Sequence, residues 1–104
     1  MKIIYISLPI TGHEDTYEKR LDEAVEYVKE KYPEYNRIIT PKDVEERLEE
    51  MMTMKPKFKD YMLAYMEAIT NCDAIFKCAG WYDSSVCFAE HAFADAIGLT
   101  ILYQ

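Results

Sequence analysis

Two residues invite a chemical reading before any element is assigned: Tyr5 in "KIIYISL" and Glu90 in "GWYDSSVCFAEHAFADAIG". Glu90 interrupts an otherwise apolar helical run, and a carboxylate on a buried face needs a hydrogen-bond donor. Tyr5, on what reads as the opening strand, is of a type that can supply one. If Val86, Ala89, Phe93, Ala96 and Ile97 form the packed face, Glu90 lies beside it. Periodicity alone equally allows an edge glutamate reaching solvent, with Tyr5 merely a strand aromatic. Two loops offer a second kind of chemistry. "SLPITGH" and "CAGWYDSS" each lead into a helix N-terminus, where unpaired amides and the helix dipole favour an anion. Thr11, Gly12, Ser84 and Ser85 can add donors there. The plainer alternative is that Pro9 and Gly12 make a turn and that Ser84 or Ser85 caps a helix.

The elements that must position these residues follow from pattern. "KIIYISL" is β-branched and continuously apolar, as a buried parallel strand is. Tyr17, Leu21, Ala24, Val25 and Val28 share one helical face, which predicts a helix over about 15–31, opened by an Asp15/Glu18 capping box. "RIIT" (37–40) is a brief second strand. Thr40 as N-cap, Pro41 at the first position and Asp43 at the third open a charged helix over "PKDVEERLEEMMTM", which Pro56 closes. Phe58, Met62, Tyr65, Met66 and Ile69 mark one side of the next helix. Met51, Met52, Met54 and Met62 read as flexible core filler, or else as the lining of a ligand cavity. "DAIFKC" (73–78) is a third strand, a helix spans about 84–97 before Gly98, and "LTILY" is a fourth strand. The order β-α-β-α-α-β-α-β predicts an α/β, three-layer Rossmann-like or flavodoxin-like sandwich with a parallel sheet ordered 2-1-3-4. Ligands of such sheets lie beyond the strand carboxyl ends at the switch point, between the two loops named above.

Composition narrows the classes. A chain of 104 residues that is 50% hydrophobic and 13% aromatic suits one folded domain over 1–104 without a disulfide staple or structural metal. A net charge of −7 speaks against capture of a nucleic-acid polymer or an anionic membrane surface. Cys72, Cys78 and Cys87 form no zinc-type spacing and read as free thiols of a reducing compartment. The N-terminal apolar run is too short for a signal peptide or a membrane span, so a cytoplasmic protein is expected.

Three stretches, "IYISLPITG", "NCDAIFKCAGWYDSS" and "AEHAFADAIGLTILY", resemble the nucleoside 2-deoxyribosyltransferase-like superfamily, and its short DUF4406 branch most closely. The resemblance spans the first 30 and last 40 residues and implies roles for particular positions. Glu90 would be the nucleophile toward the anomeric carbon, Tyr5 its orienting phenol, and Asp83 the acid at the sugar's 5′ end. Ser7, Pro9, Thr11, Gly12 and His13 in the first loop, with Gly80, Trp81, Ser84 and Ser85 in the second, would contact the substrate. Trp81 and Tyr82 could stack on a nucleobase or cover a subunit interface. The implied chemistry is that of a retaining glycosidase acting through a covalent glycosyl-glutamate, with no metal and no cofactor. The implied partners are a small nucleoside or nucleotide and further copies of the chain, as a homodimer or higher homo-oligomer.

The chain departs from the family pattern in three places along its length. Leu8 replaces the usual small residue before "PITG", and Ser85, Val86 and Cys87 follow "DS" where a glycine is common. Tyr65 stands where many members carry an aspartate that assists the leaving base, and a phenol is a poor acid at neutral pH. Two readings of function therefore stand side by side: an N-glycosidase or deoxyribosyltransferase-like enzyme, and a non-catalytic sponge or sensor for a nucleotide derivative. A third, an interaction protein using the acidic helix at 41–54, competes with that helix being a solvated face.

Overall fold

The computed structural model describes residues 1–10 and 14–104. Its elements are β1 (Ile3–Ser7), α1 (Tyr17–Lys31), β2 (Arg37–Ile39), α2 (Pro41–Met51), α3 (Phe58–Thr70), β3 (Ala74–Lys77), α4 (Ser85–Ala96) and β4 (Thr100–Tyr103), with short 3-10 turns at Glu14–Thr16 and Trp81–Asp83. The four strands form one parallel sheet in the order β2-β1-β3-β4. This is the α/β, Rossmann-like arrangement that the order of elements predicts.

Right-handed crossovers decide which face each helix covers. The β1-to-β2 step moves one way along the sheet, while the steps from β2 to β3 and from β3 to β4 move the other way. Helix α1 therefore takes one face, and α2, α3 and α4 take the opposite one. Two apolar clusters record this division. Ile4, Ile6, Ala74 and Phe76 meet Leu21, Ala24 and Val28 of α1. On the other side Tyr5 and Ile75 meet Ile69, Ala94 and the partly buried Val44, Met66 and Phe93. The period-two alternation of β1 thus sends Ile4 and Ile6 to α1, and Tyr5 and Ser7 toward α4.

Helix ends follow local chemistry closely. Thr40 Oγ1 accepts from the Asp43 amide at 3.2 Å while the Asp43 carboxylate accepts from the Thr40 amide at 3.1 Å, a complete capping box ahead of Pro41. At the end of α4, Gly98 has φ 78°. Its N–H reaches the Asp95 carbonyl at 3.1 Å and that of Leu99 reaches Ala94 at 3.0 Å, the pairing of a Schellman motif.

Three expectations need correction. The Asp15/Glu18 capping box does not form. The 3-10 turn delays the start of α1 to Tyr17, so Glu18 stands in its first turn and its carboxylate pairs instead with Lys42 at 3.1 Å. Helix α2 ends at Met51 instead of continuing to Met54, because Met52 turns to extended backbone so that the chain can double back into α3. The methionines are not all core filler either. Met51 and Met54 lie on that surface-running return and are 70% and 77% exposed. Among the described residues no helix is long and apolar enough to cross a membrane.

A Cβ added at Gly98 would meet nothing within 4 Å, so only backbone conformation opposes a side chain there. Gly98→Ala is expected to cost about 1–2 kcal/mol and to lower the melting temperature by roughly 5 °C, with Gly98→Asn between the two in thermal denaturation.

Candidate functional site

Tyr5 and Ser7 project from the carboxyl half of β1 toward α4, and Lys77, the register partner of Ser7, ends β3 beside them. Glu90 enters this space from the second turn of α4 and is 2% exposed. The Tyr5 hydroxyl donates to Glu90 Oε2 at 2.6 Å, and the Ser7 hydroxyl donates to Oε1 at 2.7 Å. The edge-glutamate alternative is thereby excluded.

Lys77 is 1% exposed, and its ammonium is fully engaged. It donates to Ser7 Oγ at 3.3 Å and to the Cys87 carbonyl at 2.7 Å, and it lies 4.7 Å from the centroid of the Trp81 ring. Burial pushes its pKa down, while the charge of Glu90 works against that fall. Nothing in "DAIFKC" distinguishes this lysine from one at a solvated strand end. Its role comes from the register that puts it beside Ser7.

The electrostatics of Glu90 are a contest. Burial raises its carboxyl pKa above the ordinary range. The Tyr5 and Ser7 hydrogen bonds and then the Lys77 charge pull it back, and the charge of Glu45 pushes it up. Burial and Glu90 together push the Tyr5 phenol well up, so it acts as a neutral donor and not as a base.

Glu90 forms part of the wall of a cavity of about 290 Å³, lined also by Leu8, Ile10, Ser84, Val86 and Tyr65 and completed from α2 by Pro41, Glu45 and Glu49. This is near the small end of the roughly 300–1,000 Å³ typical of small-molecule pockets. The opposite wall is the hairpin of α2 and α3. There the Tyr61 hydroxyl donates to Glu49 at 2.6 Å, and the Tyr65 hydroxyl donates to Glu45. Both acids are four residues apart, as are both phenols, so the antiparallel helices match them pair by pair. The acidic helix is therefore not simply a solvated face. Besides Lys77, Glu45 and Glu49 are site residues that the sequence reading missed, although the matched i, i+4 spacing of acids and tyrosines was there to be read.

The two loops are tied together by Arg20, whose guanidinium donates to the Pro9 carbonyl at 3.3 Å and to the Ala79 carbonyl at 3.2 Å. Ser84 is buried and lines the cavity, and its Oγ also accepts from the Cys87 amide as the N-cap of α4. Asp83 and Ser85 are exposed, and neither they nor Gly80 and Trp81 line the cavity. Trp81 stacks on His91 at 4.4 Å between ring centroids, with Phe88 at 6.0 Å, because the 3-10 turn folds it back over α4. Thr11, Gly12 and His13 lie outside the described residues. The Tyr17 hydroxyl is buried with no hydrogen-bond partner among the described residues, and burial first, then the charges of Glu45 and Glu90, raise its pKa. Among the described residues no group of three or more His, Cys, Asp or Glu is gathered so as to hold a metal ion.

The direction of the Glu90 shift has a consequence for stability. The folded chain holds this proton more tightly than the unfolded chain does. Its contribution to stability is therefore fully present below the ordinary pKa of 4.5 and declines as pH rises through the raised value. Thermal melts against pH should show the wild type losing stability relative to Glu90→Gln on going from acid to neutral pH. A difference that stays constant with pH would show that Glu90 carries no proton-linked cost.

Comparison with curated proteins finds no match. Residues 2–103 match the family model described as "Domain of unknown function (DUF4406)", nearly the whole length of the chain, and the chain belongs to the DUF4406 family.

Proposed function

We propose that this cavity cleaves the N-glycosidic bond of a nucleoside or nucleotide, as an N-glycosidase or deoxyribosyltransferase-like enzyme, with Glu90 as nucleophile. The observation that carries this reading is a carboxylate buried at 2% exposure in the wall of a ligand-sized cavity and held by two hydroxyl donors. Each oxygen of Glu90 accepts one of these bonds, and a carboxylate oxygen has a further lone pair. One of them attacks the anomeric carbon as the C1′–N bond breaks and its electron pair leaves on the base. Water or an incoming base nitrogen then attacks C1′, the glycosyl ester breaks, and its electron pair returns to Glu90. Two inversions give net retention. Tyr5 and Ser7 fix the oxygens, and with the Lys77 charge they favour the ionised nucleophile against the pull of burial. The resemblance of Tyr5, Glu90 and their flanking loops to the nucleoside 2-deoxyribosyltransferase-like superfamily supports the same chemistry, and with it the superfamily's homo-oligomeric assembly.

The alternative reading, a nucleotide-derivative sponge or sensor without chemistry, draws on Tyr65. Burial and the Glu45 partner push its phenol pKa far above neutrality, so Tyr65 donates no proton to a leaving base.

Incubation with deoxynucleosides and deoxynucleoside monophosphates, with and without acceptor bases, separates the two. Free base should appear, and Glu90→Gln should reduce its release by on the order of a thousandfold or more. A ligand-dependent melting shift without free base supports the binding reading instead. No melting shift with any nucleoside or nucleotide at millimolar concentration overturns both. Tyr5→Phe removes a bond that stabilises the ionised nucleophile. The acid limb of kcat/KM should then move to higher pH and turnover should fall about tenfold to a hundredfold, the worth of a hydrogen bond to a charged group.

A further inference from the structure

We propose that Glu45, oriented by Tyr65, is the acid–base residue of this site, protonating the departing base across the cavity from Glu90. The inference rests on the N-glycosidic reading and supplies the group that the reading lacks.

Two carboxylates line one cavity from different elements: Glu90 from α4 and Glu45 from α2. A pair of this kind divides into nucleophile and proton donor when the two environments differ, and here they do. Glu90 accepts two hydroxyl bonds and has the buried Lys77 ammonium close behind Ser7, all of which favour its anion. Glu45 accepts one bond, from Tyr65, and its other oxygen has no hydrogen bond among the described residues. No cation among the described residues offsets its burial. Among the described residues, the groups that interact with it electrostatically are acids and phenols: Glu46 and Glu49 on α2, Tyr65 on α3, Glu90 on α4 and Tyr17 on α1. Burial first, and then the Glu49 and Glu46 charges, raise the Glu45 carboxyl, with the Tyr65 bond alone pulling it down. Glu49 is exposed and sits further out with Tyr61, which leaves Glu45 as the half-buried acid of the pair.

In the first step the Glu45 carboxylic acid gives its proton to the base nitrogen as the C1′–N electron pair moves onto that nitrogen and the Glu90–C1′ bond forms. In the second, the Glu45 carboxylate takes a proton from the attacking water, or from the N–H of an incoming base, as the Glu90–C1′ bond breaks. Tyr65 is a positioning residue: its hydrogen bond fixes the Glu45 carboxyl and sets the pH at which the acid is lost.

The test compares wild type, Glu45→Gln and Tyr65→Phe on two substrates. One is a neutral deoxynucleoside, whose base must be protonated to leave. The other is an N-pyridinium deoxyriboside, whose base departs neutral without a proton. Glu45→Gln should lose about a hundredfold to ten-thousandfold on the neutral nucleoside, less than tenfold on the pyridinium glycoside, and the alkaline limb of its pH profile. Tyr65→Phe should retain turnover at its optimum and move the alkaline limb to higher pH, since the lost bond had favoured the Glu45 anion. A folded Glu45→Gln protein that slows both substrates equally, or neither, overturns the acid–base role while leaving Glu90 as nucleophile. If Glu45→Gln does not fold, an alkaline limb unmoved in Tyr65→Phe overturns it. Wild-type protein that releases no base from either substrate overturns the N-glycosidic reading, and this inference with it.

Discussion

The burial of the Glu90 carboxylate is the constraint around which the upper end of the sheet is organised. An ionised carboxylate removed from water is costly unless donors and a countercharge surround it. Tyr5, Ser7 and Lys77 supply these, and all three come from two adjacent parallel strands. Their placement depends on register. A one-residue slip of β1 would turn Tyr5 and Ser7 toward α1, and Ile4 and Ile6 toward the carboxylate. The pairing of Ile4 with Ala74 through Ser7 with Lys77 thus sets both the core and the site.

The same burial keeps the balance between acid and anion close. Burial opposes the charge of Glu90 while the two hydroxyls and the ammonium favour it. A nucleophile needs the anion, and tight binding of an electron-poor anomeric centre needs a carboxylate not already quenched by water. Across the cavity, the α2/α3 hairpin repeats the phenol-to-carboxylate pairing with no cation beside it among the described residues, and burial there makes Glu45 hold its proton more strongly. Neighbouring acids in different surroundings can take different roles, and the hairpin is the element that creates the second surrounding.

Much of this was legible in the residues. Strand order, the Thr40 capping box and the glycine stop at Gly98 rest on periodicity, capping chemistry and the handedness of crossovers. The meeting of Tyr5 with Glu90 was one of two alternatives that periodicity allowed, and the family resemblance favoured it. Arg20 was not legible, because a guanidinium spanning two loop carbonyls is defined by loops that meet only after folding. For Trp81 the sequence left open a nucleobase stack or a subunit interface. A single 3-10 turn sets its ring on His91, and rotations of that size lie below the resolution of pattern.

The acidic helix shows the same division. Its composition identified a charged helix. Which of those charges meet solvent and which meet a cavity depends on where the following helix lies, and that is settled by packing between segments distant in sequence. The amino-acid sequence by itself determined the order of elements, the Thr40 cap and the Gly98 stop, since each is dictated by neighbours within a few residues. Only the tertiary structure decided that the Glu90 carboxylate turns inward, that Lys77 stands behind it and that Glu45 lies across from it. Charges interact through space, and the distances between them exist only once the sheet and the hairpin have closed.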